Sequence, residues 1–491
     1  MQLYDKDLLS VQEVRELVEK AKAAQEELSQ KSQAEVDAIV KSIAYAGVRN
    51  AKRLAKLAHE ETGFGIEADK VIKNIFGSRD VYEHIKDMKT IGELGYDEEK
   101  KVRTIAVPVG VIAGLIPSTN PTSTAFYKSE ISIKAGNAIV FSPHPNARNC
   151  ILEAVKVIRQ AIAEAGGNEN LVSCITIPTI QATDNLMKHP DVALILATGG
   201  SAMVRAAYSS GTPAIGVGPG NGPAYIEKTA DLPLAVKRIM DSKTFDNGTI
   251  CASEQSVVCD KDMEDAVRAE MEKQGAYFLT DEQIAKLGKF ILRANGTMNP
   301  MIVGKSAQVI ADLAGIDIPA GTKVLVAKET GIGRGHPYSN EKLAPILAFY
   351  TADDYKEICR LVQDILHYEG AGHTFSMHTK DPEMVNYFAM RVPASRIIVN
   401  TPSALGGIGG TTGLMPALTL GCGAIGGSAT SENVGPMNLL NKRHVAEGLL
   451  ELDEIKAGLP TCTDGMCSGP KAEDVDIDAV VNEIVKRLRS I

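Results

Sequence analysis

A cysteine at position 251 lies in a segment, 243-KTFDNGTICASEQS, whose residues could perform nucleophilic chemistry. Cys251 follows a glycine-containing turn and precedes small polar residues and an apolar run, which predicts a loop that leads into a strand. A thiolate is a strong nucleophile where the protein exposes and stabilises it. Buried cysteines more often serve packing alone, and the segment by itself leaves both interpretations open.

An asparagine at position 120 occupies a second candidate position, within 116-IPSTNPTSTAFYKS. The segment follows an apolar run and opens a helical pattern with Pro121 at the first helical position. Asn120 is therefore predicted at the carboxyl end of a strand, where its side-chain amide could donate to an oxyanion. A simple helix cap is the alternative role for this residue.

Two glycine clusters have the spacing of phosphate-binding turns but lack the required context. One cluster matches G-x-G-x-x-G but no helical pattern follows it, and the other leads into a second apolar run, so the dinucleotide fingerprint fails in both. The two clusters are Gly421, Gly423 and Gly426, and Gly216, Gly218 and Gly220. The dinucleotide-binding fingerprint therefore gives no indication of a nicotinamide cofactor.

The elements around these residues alternate between apolar runs and helical patterns. Continuous apolar strands between helices predict a parallel sheet covered on both faces. The predicted strands lie near 104–117, 138–141, 172–177, 193–197 and 213–217, and the helices over 121–134, 146–165, 179–189 and 200–209. A second α/β region is predicted from residue 250, with strands near 255–259, 322–327 and 396–399.

The first ninety residues are predicted to be helical. Ser10 and Glu13 fit a capping box, and an apolar face follows them. That face consists of Val11, Val14, Leu17, Val18 and Ala21. A second helix is predicted over residues 33–61, with Gly63 and Gly65 ending it.

Length and composition indicate a globular protein of two or three domains. The chain has 491 residues, of which 44% are hydrophobic and 23% charged, with a net charge of -9. The acidic balance argues against a nucleic-acid partner. No signal peptide or membrane span is visible, and eight scattered cysteines do not indicate a disulfide framework, so we expect a cytoplasmic protein.

Taken together, the motifs resemble the aldehyde dehydrogenase superfamily, specifically its coenzyme A-acylating branch. The likeness covers roughly residues 10–450 and extends to the aldehyde dehydrogenase half of bifunctional aldehyde–alcohol dehydrogenases and to acetaldehyde and propionaldehyde dehydrogenases. It is carried by IPSTNPTSTAFYKS, AIVFSPHP, LILATGG, AAYSSGTPAIGVGPGN, SKTFDNGTICASEQS, EKLAP, VNTPS and TLGCGAIGGSATSENVGP. So many matches in order are very specific.

The resemblance implies catalytic roles for three residues. Cys251 matches the nucleophile of the family, and Asn120 matches the asparagine whose amide forms the oxyanion hole with the backbone N–H of Cys251. His373, in GAGHT, matches a histidine proposed as the acid–base group of acylating members.

The resemblance also implies a nicotinamide site, with NAD expected rather than NADP, and coenzyme A as co-substrate. Its residues match the family at the pyrophosphate and nicotinamide loop, at the adenosine ribose and at the nicotinamide ribose. These are Thr198, Gly199 and Gly200, then Ser142 and Pro143, and finally Glu341.

The chain departs from the hydrolytic members of the family in one informative segment. Those members carry a Glu-Leu-Gly-Gly motif whose glutamate activates water, whereas here the segment is 216-GVGPGNGP, without a carboxylate. Deacylation by water should therefore be slow. The thiolate of coenzyme A, a better nucleophile, fits this departure.

The fold that the resemblance implies is α/β, with a Rossmann-type cofactor domain, an α/β catalytic domain and a small oligomerisation element. We predict the cofactor domain over 1–238, the catalytic domain over 239–425 and a return to the cofactor or oligomerisation region over 426–456. A linker over 457–470 and an amphipathic helix over 471–491 follow. A homo-oligomer is expected.

The terminal helix carries an apolar stripe after a flexible linker, which leaves two interpretations. It could dock on its own subunit, or it could serve as an encapsulation peptide that binds a bacterial microcompartment shell or core protein. Cys462 and Cys467 precede it without a second ligand pair, so no metal site is expected. The remaining cysteines, Cys150, Cys174, Cys259, Cys359 and Cys422, are predicted to be packing residues.

The expected activity is oxidation of a short aldehyde, acetaldehyde first, to its acyl-CoA. Propionaldehyde, sulfoacetaldehyde and succinate semialdehyde are alternative substrates. A hydrolytic dehydrogenase would work without coenzyme A, and a non-redox cysteine acyltransferase would not reduce NAD. A catalytically silent assembly component is a further alternative, but it would have no use for Cys251 and Asn120.

Overall fold

The computed structural model describes residues 5–293 and 295–457. The predicted terminal helix, Cys462 and Cys467 lie outside the described residues, as does nearly all of the predicted linker. The chain divides into two compact units, formed by Met1–Leu94 with Ala106–Lys442 and by Gly95–Ile105 with Arg443–Ile491. No helix within the described ranges is both long and apolar enough to cross a membrane.

The amino-terminal part of the first unit is helical, as predicted. Its helices are α1 (Lys6–Leu28), α2 (Gln33–Thr62), α3 (Glu67–Ile75) and α4 (Val81–Ile85), with a π-helical turn over Phe76–Asp80 between the last two. Gly63 ends α2 in the left-handed conformation with φ of 65°, which a residue without a side chain adopts most easily.

The predicted capping box at Ser10 is wrong, because α1 begins earlier. Asp5 caps this helix through hydrogen bonds from the backbone N–H groups of Asp7 and Leu8. Ser10 is buried inside α1, where its hydroxyl contacts the hydroxyl of Thr179 at 2.8 Å. The predicted apolar face is real, since Val14, Val18 and Ala21 are among its buried residues.

The apolar run over 104–117 forms two strands instead of one. Strand β1 (Gly92–Asp97) precedes β2 (Val102–Pro108), and β3 (Val111–Ile116) begins after a break at Gly110. Gly110 has φ of 124°, a conformation that residues with side chains rarely adopt, so the chain turns there.

The first large sheet has five parallel strands in the order β5-β4-β3-β6-β7. Its further elements are α5 (Pro121–Lys134), β4 (Ala138–Pro143), α6 (Arg148–Glu164), β5 (Val172–Cys174), α7 (Ile180–Met187), β6 (Val192–Thr198), α8 (Ser201–Ser209) and β7 (Ala214–Val217). The strand order reverses between β3 and β6, which is where doubly wound sheets bind ligands. The predicted parallel sheet is confirmed.

The second large sheet has seven parallel strands in the order β10-β11-β12-β9-β8-β13-β14. Its strands are β8 (Gly222–Ile226), β9 (Glu254–Asp260), β10 (Ala276–Phe278), β11 (Val324–Lys328), β12 (Ile346–Ala352), β13 (Gly372–His378) and β14 (Ala394–Val399). Its helices are α9 (Leu232–Thr244), α10 (Glu264–Lys273), α11 (Asp281–Ile291), α12 (Ala307–Ala314), α13 (Tyr355–Tyr368), α14 (Pro382–Ala389) and α15 (Ser403–Gly407). Because β8 already belongs to this sheet, the change of sheet precedes the predicted boundary after residue 238.

The second unit contains most of a small sheet with the order β1-β2-β15. Strand β15 (Leu440–Ala446) and helix α16 (Leu452–Ala457) are the last described elements. Within this unit, the backbone N–H of Glu447 donates to the carbonyl of Lys101 at 3.1 Å.

Candidate active site

Four neighbouring strands of the seven-stranded sheet bring candidate residues to one edge. The strands β12, β9, β8 and β13 are consecutive in this sheet and parallel. Glu341, Cys251 and Gly220 precede the first three, and His373 is the second residue of β13. Since the amino ends of parallel strands meet at one edge, the sheet collects residues that are far apart in sequence.

The five-stranded sheet contributes the ends of two neighbouring strands. Asn120 follows β3, and Gly199 and Gly200 follow β6, which pairs with β3. A cavity of about 370 Å³ lies between this edge and the edge that bears Cys251. Asn120, Cys251 and Glu341 all line it, so residues from both sheets face one space.

Among the cysteines that the structure describes, Cys251 is half-buried and the five predicted packing cysteines are buried. Burial raises the pKa of the Cys251 thiol to about 12, and the nearby Glu341 carboxyl contributes in the same direction. The thiol is therefore protonated at neutral pH in this arrangement. Formation of the thiolate requires a proton acceptor or added positive charge.

Asn120 occupies the position before α5, but its side chain does not cap that helix. Its Oδ1 accepts a hydrogen bond from Nζ of Lys73 at 2.7 Å, and its Nδ2 donates to the carbonyl oxygen of Thr249 at 3.2 Å. An ammonium group can only donate, so Lys73 fixes which end of the amide is oxygen. The cap interpretation is therefore wrong for this side chain, which reaches toward the Cys251 loop.

A buried group of four residues, here called the lysine–aspartate cluster, lies behind Asn120 and was not predicted from the sequence. It consists of Lys70, Lys73, Asp246 and Thr249. Asp246 Oδ2 accepts from Lys70 at 3.0 Å and from Lys73 at 2.5 Å. The hydroxyl of Thr249 donates to the same oxygen at 2.7 Å.

The loop that carries Asp246 has an unusual backbone. Asp246, Asn247 and Gly248 have φ values of 47°, 52° and 75°, so three successive residues are left-handed. The sequence Asp-Asn-Gly tolerates this conformation better than most. This turn places the carboxylate of Asp246 among the lysines and leads directly to Thr249 and Cys251. The Asp-Asn-Gly sequence is thus a signal from which the turn could have been predicted.

His373 and Cys251 approach each other across Gly220. A Cβ at Gly220 would lie 2.1 Å from the carbonyl oxygen of Cys251 and 3.0 Å from Cε1 of His373. His373 Nδ1 contacts the Thr374 hydroxyl at 2.9 Å, and its buried Nε2 has no partner among the described residues. Burial lowers the pKa of His373 to about 3, assisted by the Arg396 cation, so the ring is neutral.

Of the described residues that line the cavity, Glu341 alone carries a carboxyl group. Its Oε1 accepts a hydrogen bond from the backbone N–H of Gly220 at 2.8 Å. Burial raises the pKa of Glu341 to about 8, and repulsion from Glu369 adds to the effect. This carboxyl group is therefore mainly protonated at pH 7.

The residues expected at the cofactor divide into two groups. Thr198, Gly199 and Gly200 line the cavity, and no side chain caps α8 after Gly200. Ser142 and Pro143 are buried at the end of β4, where the Ser142 hydroxyl contacts that of Thr183 at 2.7 Å. Beyond β4 the cavity is lined instead by His144 and Asn146.

Comparison with known proteins defines the family. The aldehyde dehydrogenase family model matches residues 3–411, and the chain belongs to that family. A crystal structure of a probable aldehyde dehydrogenase from Listeria monocytogenes is 64% identical, with a TM-score of 0.91 over 92% of this chain and 100% of that one. An acetylating aldehyde dehydrogenase from Geobacillus thermoglucosidasius is 51% identical, with a TM-score of 0.90 over 92% and 99%.

The comparison also confirms the resemblance to aldehyde–alcohol dehydrogenases. The bifunctional aldehyde-alcohol dehydrogenase of Escherichia coli is 46% identical over 443 residues, which are 89% of this chain and 50% of that protein. The chain thus spans about half the length of this relative.

Proposed function

We propose that the protein oxidises a short aldehyde with a nicotinamide cofactor and transfers the acyl group to coenzyme A. The observation that carries this proposal is the cavity that Cys251 and Asn120 both line, with the Asn120 amide donating to Thr249, two residues before the thiol. The Cys251 thiolate attacks the aldehyde carbonyl carbon, a C–S bond forms, and the carbonyl electron pair moves to oxygen. The Asn120 amide donates a hydrogen bond to that oxyanion.

Collapse of the oxyanion expels a hydride and leaves a thioester on Cys251. A nicotinamide held in this cavity would supply the hydride acceptor. The thiolate of coenzyme A then attacks the thioester, so that one C–S bond forms, the bond to Cys251 breaks, and acyl-CoA leaves. His373 is the proposed proton acceptor, because its ring is neutral and its Nε2 has no hydrogen-bond partner among the described residues.

The segment before β8 supports acyl transfer over hydrolysis. Val217, Gly218 and Pro219 line the cavity and offer no carboxylate. Glu341 is a poor base for water at neutral pH, because its raised pKa keeps it protonated and its Oε1 already accepts from Gly220. A thiol nucleophile needs less help from a base than water does.

The residues present fit a nicotinamide cofactor. The uncapped amino end of α8 meets the cavity at Gly200, where a Cβ would find open space, so a pyrophosphate could approach the backbone. Thr198, Gly199 and Gly200 would hold that group, and Glu341 would accept from the nicotinamide ribose. We assign Ser142 and Pro143 to the adenosine end of the same site.

We propose NAD as the preferred cofactor. Beyond β4, the backbone N–H groups of Asn149 and Cys150 donate to the carboxylate of Glu61 at 2.8 and 2.7 Å. The amino end of α6 is thus already occupied by an anion. The additional phosphate of NADP would meet a negative charge there in place of free amides.

The experiment measures NADH formation from NAD and acetaldehyde, with and without coenzyme A. Wild type should require coenzyme A, and Cys251→Ala should lose turnover. Cys359→Ala is the matched control, because this buried cysteine lies in α13 away from the cavity. Sustained turnover without coenzyme A would move the protein to the hydrolytic class, and coenzyme A acylation without NAD reduction would indicate a non-redox acyltransferase.

We propose acetaldehyde as the substrate, because the Geobacillus neighbour is described as acetylating. Propionaldehyde, sulfoacetaldehyde and succinate semialdehyde are the competitors to assay beside it.

A homo-oligomer is proposed from the family and is checked by light scattering. If the terminal helix targets a microcompartment, deletion of residues 471–491 should preserve activity and abolish co-purification with shell particles.

A further inference from the structure

We propose that Lys73 is a positioning residue that orients and polarises the oxyanion-binding amide of Asn120. This inference rests on the proposed thioester chemistry at Cys251. Lys73 lies in α3, remote in sequence from both catalytic segments, and its side chain is 2% exposed. Its Nζ lies 2.7 Å from Asn120 Oδ1, 2.5 Å from Asp246 Oδ2 and 2.9 Å from the Thr249 hydroxyl.

Lys73 fixes the direction in which the Asn120 amide faces. A carboxamide can present either its oxygen or its nitrogen toward the cavity, and only the nitrogen can stabilise an oxyanion. Lys73 has donors only, so it binds Oδ1 and turns Nδ2 away from itself, toward the Thr249 carbonyl at 3.2 Å. Thr249 is two residues before Cys251, so the amide N–H groups are directed at the nucleophile's own loop.

Lys73 also brings a positive charge to the oxygen of the Asn120 amide. The lysines of the cluster face the carboxylate of Asp246 and, next to it, the carboxyl of Asp69, whose Oδ2 accepts from the backbone N–H of Asp246 at 2.7 Å. Of these charged groups, the Lys73 ammonium is the one bonded directly to the Asn120 amide. A cation bonded to Oδ1 withdraws electron density from the amide and makes its N–H groups stronger donors. A positive charge behind the amide also favours the negative charge that develops on the substrate oxygen.

The lysine–aspartate cluster holds the Lys73 side chain in place. The position of Lys73 is fixed by Asp246, which is held by the left-handed turn at residues 246–248 and by the backbone N–H of Ile66 at 2.6 Å. Lys70 shares Asp246 but donates to the carbonyl of Thr119 at 3.3 Å and has no bond to the Asn120 amide. Lys70 therefore provides a matched comparison, with the same burial and the same anionic partner.

The test uses p-nitrophenyl acetate, which acylates a cysteine through an oxyanion without any hydride transfer. The ester C–O bond breaks, a thioester forms on Cys251, and p-nitrophenolate leaves as a measurable burst. Asn120→Ala should slow the burst about 10²-fold or more, as loss of an oxyanion donor does. Lys73→Met should slow it at least about tenfold, and Lys70→Met less than about threefold.

A double-mutant cycle separates positioning from general damage. Lys73→Met introduced into the Asn120→Ala background should slow the burst by less than about threefold, because the amide that Lys73 orients is gone. The inference would be overturned if Lys73→Met slowed the burst equally in the wild-type and Asn120→Ala backgrounds. It would also be overturned if Lys73→Met left the burst rate of the wild-type protein unchanged. Lys73→Gln, which retains a polar group in the cluster, should show the same coupling at smaller size if Lys73→Met folds poorly.

Two further readouts distinguish this inference from the proposed function. In the full reaction, Lys73→Met should lower kcat and leave the KM for NAD within about threefold, since Lys73 lies behind the oxyanion group. A burst that depends on Lys73 without NAD reduction would refute the redox proposal and retain the positioning role. A crystal structure of Lys73→Met in which Asn120 Nδ2 still donates to Thr249 would overturn that role.

Discussion

Gly220 lies so close to the Cys251 loop that the effect of adding a side chain there can be worked out from the geometry. In Gly220→Ala, the new Cβ would lie 2.1 Å from the carbonyl oxygen of Cys251, whereas real Cβ contacts essentially never fall below 3.0 Å. The obstructing atom is backbone, so the Cys251 loop or β8 must move by about 1 Å. A displacement of this size at a catalytic group costs about 10²-fold in rate.

The assay compares kcat for NADH formation in wild type, Gly220→Ala and Gly413→Ala. The last variant is the control, because a Cβ at Gly413 meets nothing within 4 Å. Gly220→Ala should lose about 10²-fold in kcat and about 1–3 kcal/mol of stability through overpacking. A kcat within about threefold of wild type would refute the idea that this glycine sets the position of Cys251.

Three further outcomes are expected. Burial raises the pKa of Glu130 well above its usual value, so the folded state retains a proton that the unfolded state loses above about pH 4.3. The stability measured by thermal unfolding should therefore fall with pH above that point, by up to about 1.4 kcal/mol per pH unit from this group, and Glu130→Gln should make the fall less steep by that amount. Alkylation of Cys251 by iodoacetamide should keep accelerating between pH 8 and 10, and Glu341→Gln should accelerate it at pH 9 but not at pH 6, because only the ionised carboxylate opposes the thiolate. Gly65→Ala should lower the melting temperature more than Gly166→Ala does: both glycines have positive φ, but only the first would place a Cβ 1.8 Å from a carboxylate oxygen of the lysine–aspartate cluster.

Some of the fold could be predicted because the signals are local. Helix α5 was predicted over 121–134 and spans Pro121–Lys134, since proline at the first helical position marks its start. The position of Asn120 at a strand end followed from the same pattern. The capping box at Ser10 failed because Asp5, five residues earlier, satisfies the first amides of α1.

Other features could not be predicted because they depend on distant partners. Strand β13 is buried along its whole length, but it has no continuous apolar run by which it could be recognised. Its polar residues are His373, Thr374, Ser376 and His378. Lys70 and Lys73 resemble the solvated face of an amphipathic helix, yet both are buried. Asp246, which makes their burial possible, lies 173 residues beyond Lys73.

The two sheets contribute complementary halves to the candidate site, and this explains why its residues are so scattered. The five-stranded sheet supplies the carboxyl ends of β3 and β6, where backbone amides and Asn120 can meet anionic groups. The seven-stranded sheet supplies the amino ends of β12, β9, β8 and β13, which bring Glu341, Cys251 and His373 to one edge. Lys73 and Asp246 connect the halves, because the amide that Lys73 binds follows a strand of the first sheet and the turn of Asp246 leads to Cys251, before a strand of the second. A substitution that breaks that ion pair should therefore shift the Asn120 side chain relative to Cys251 and leave the strands of both sheets in place.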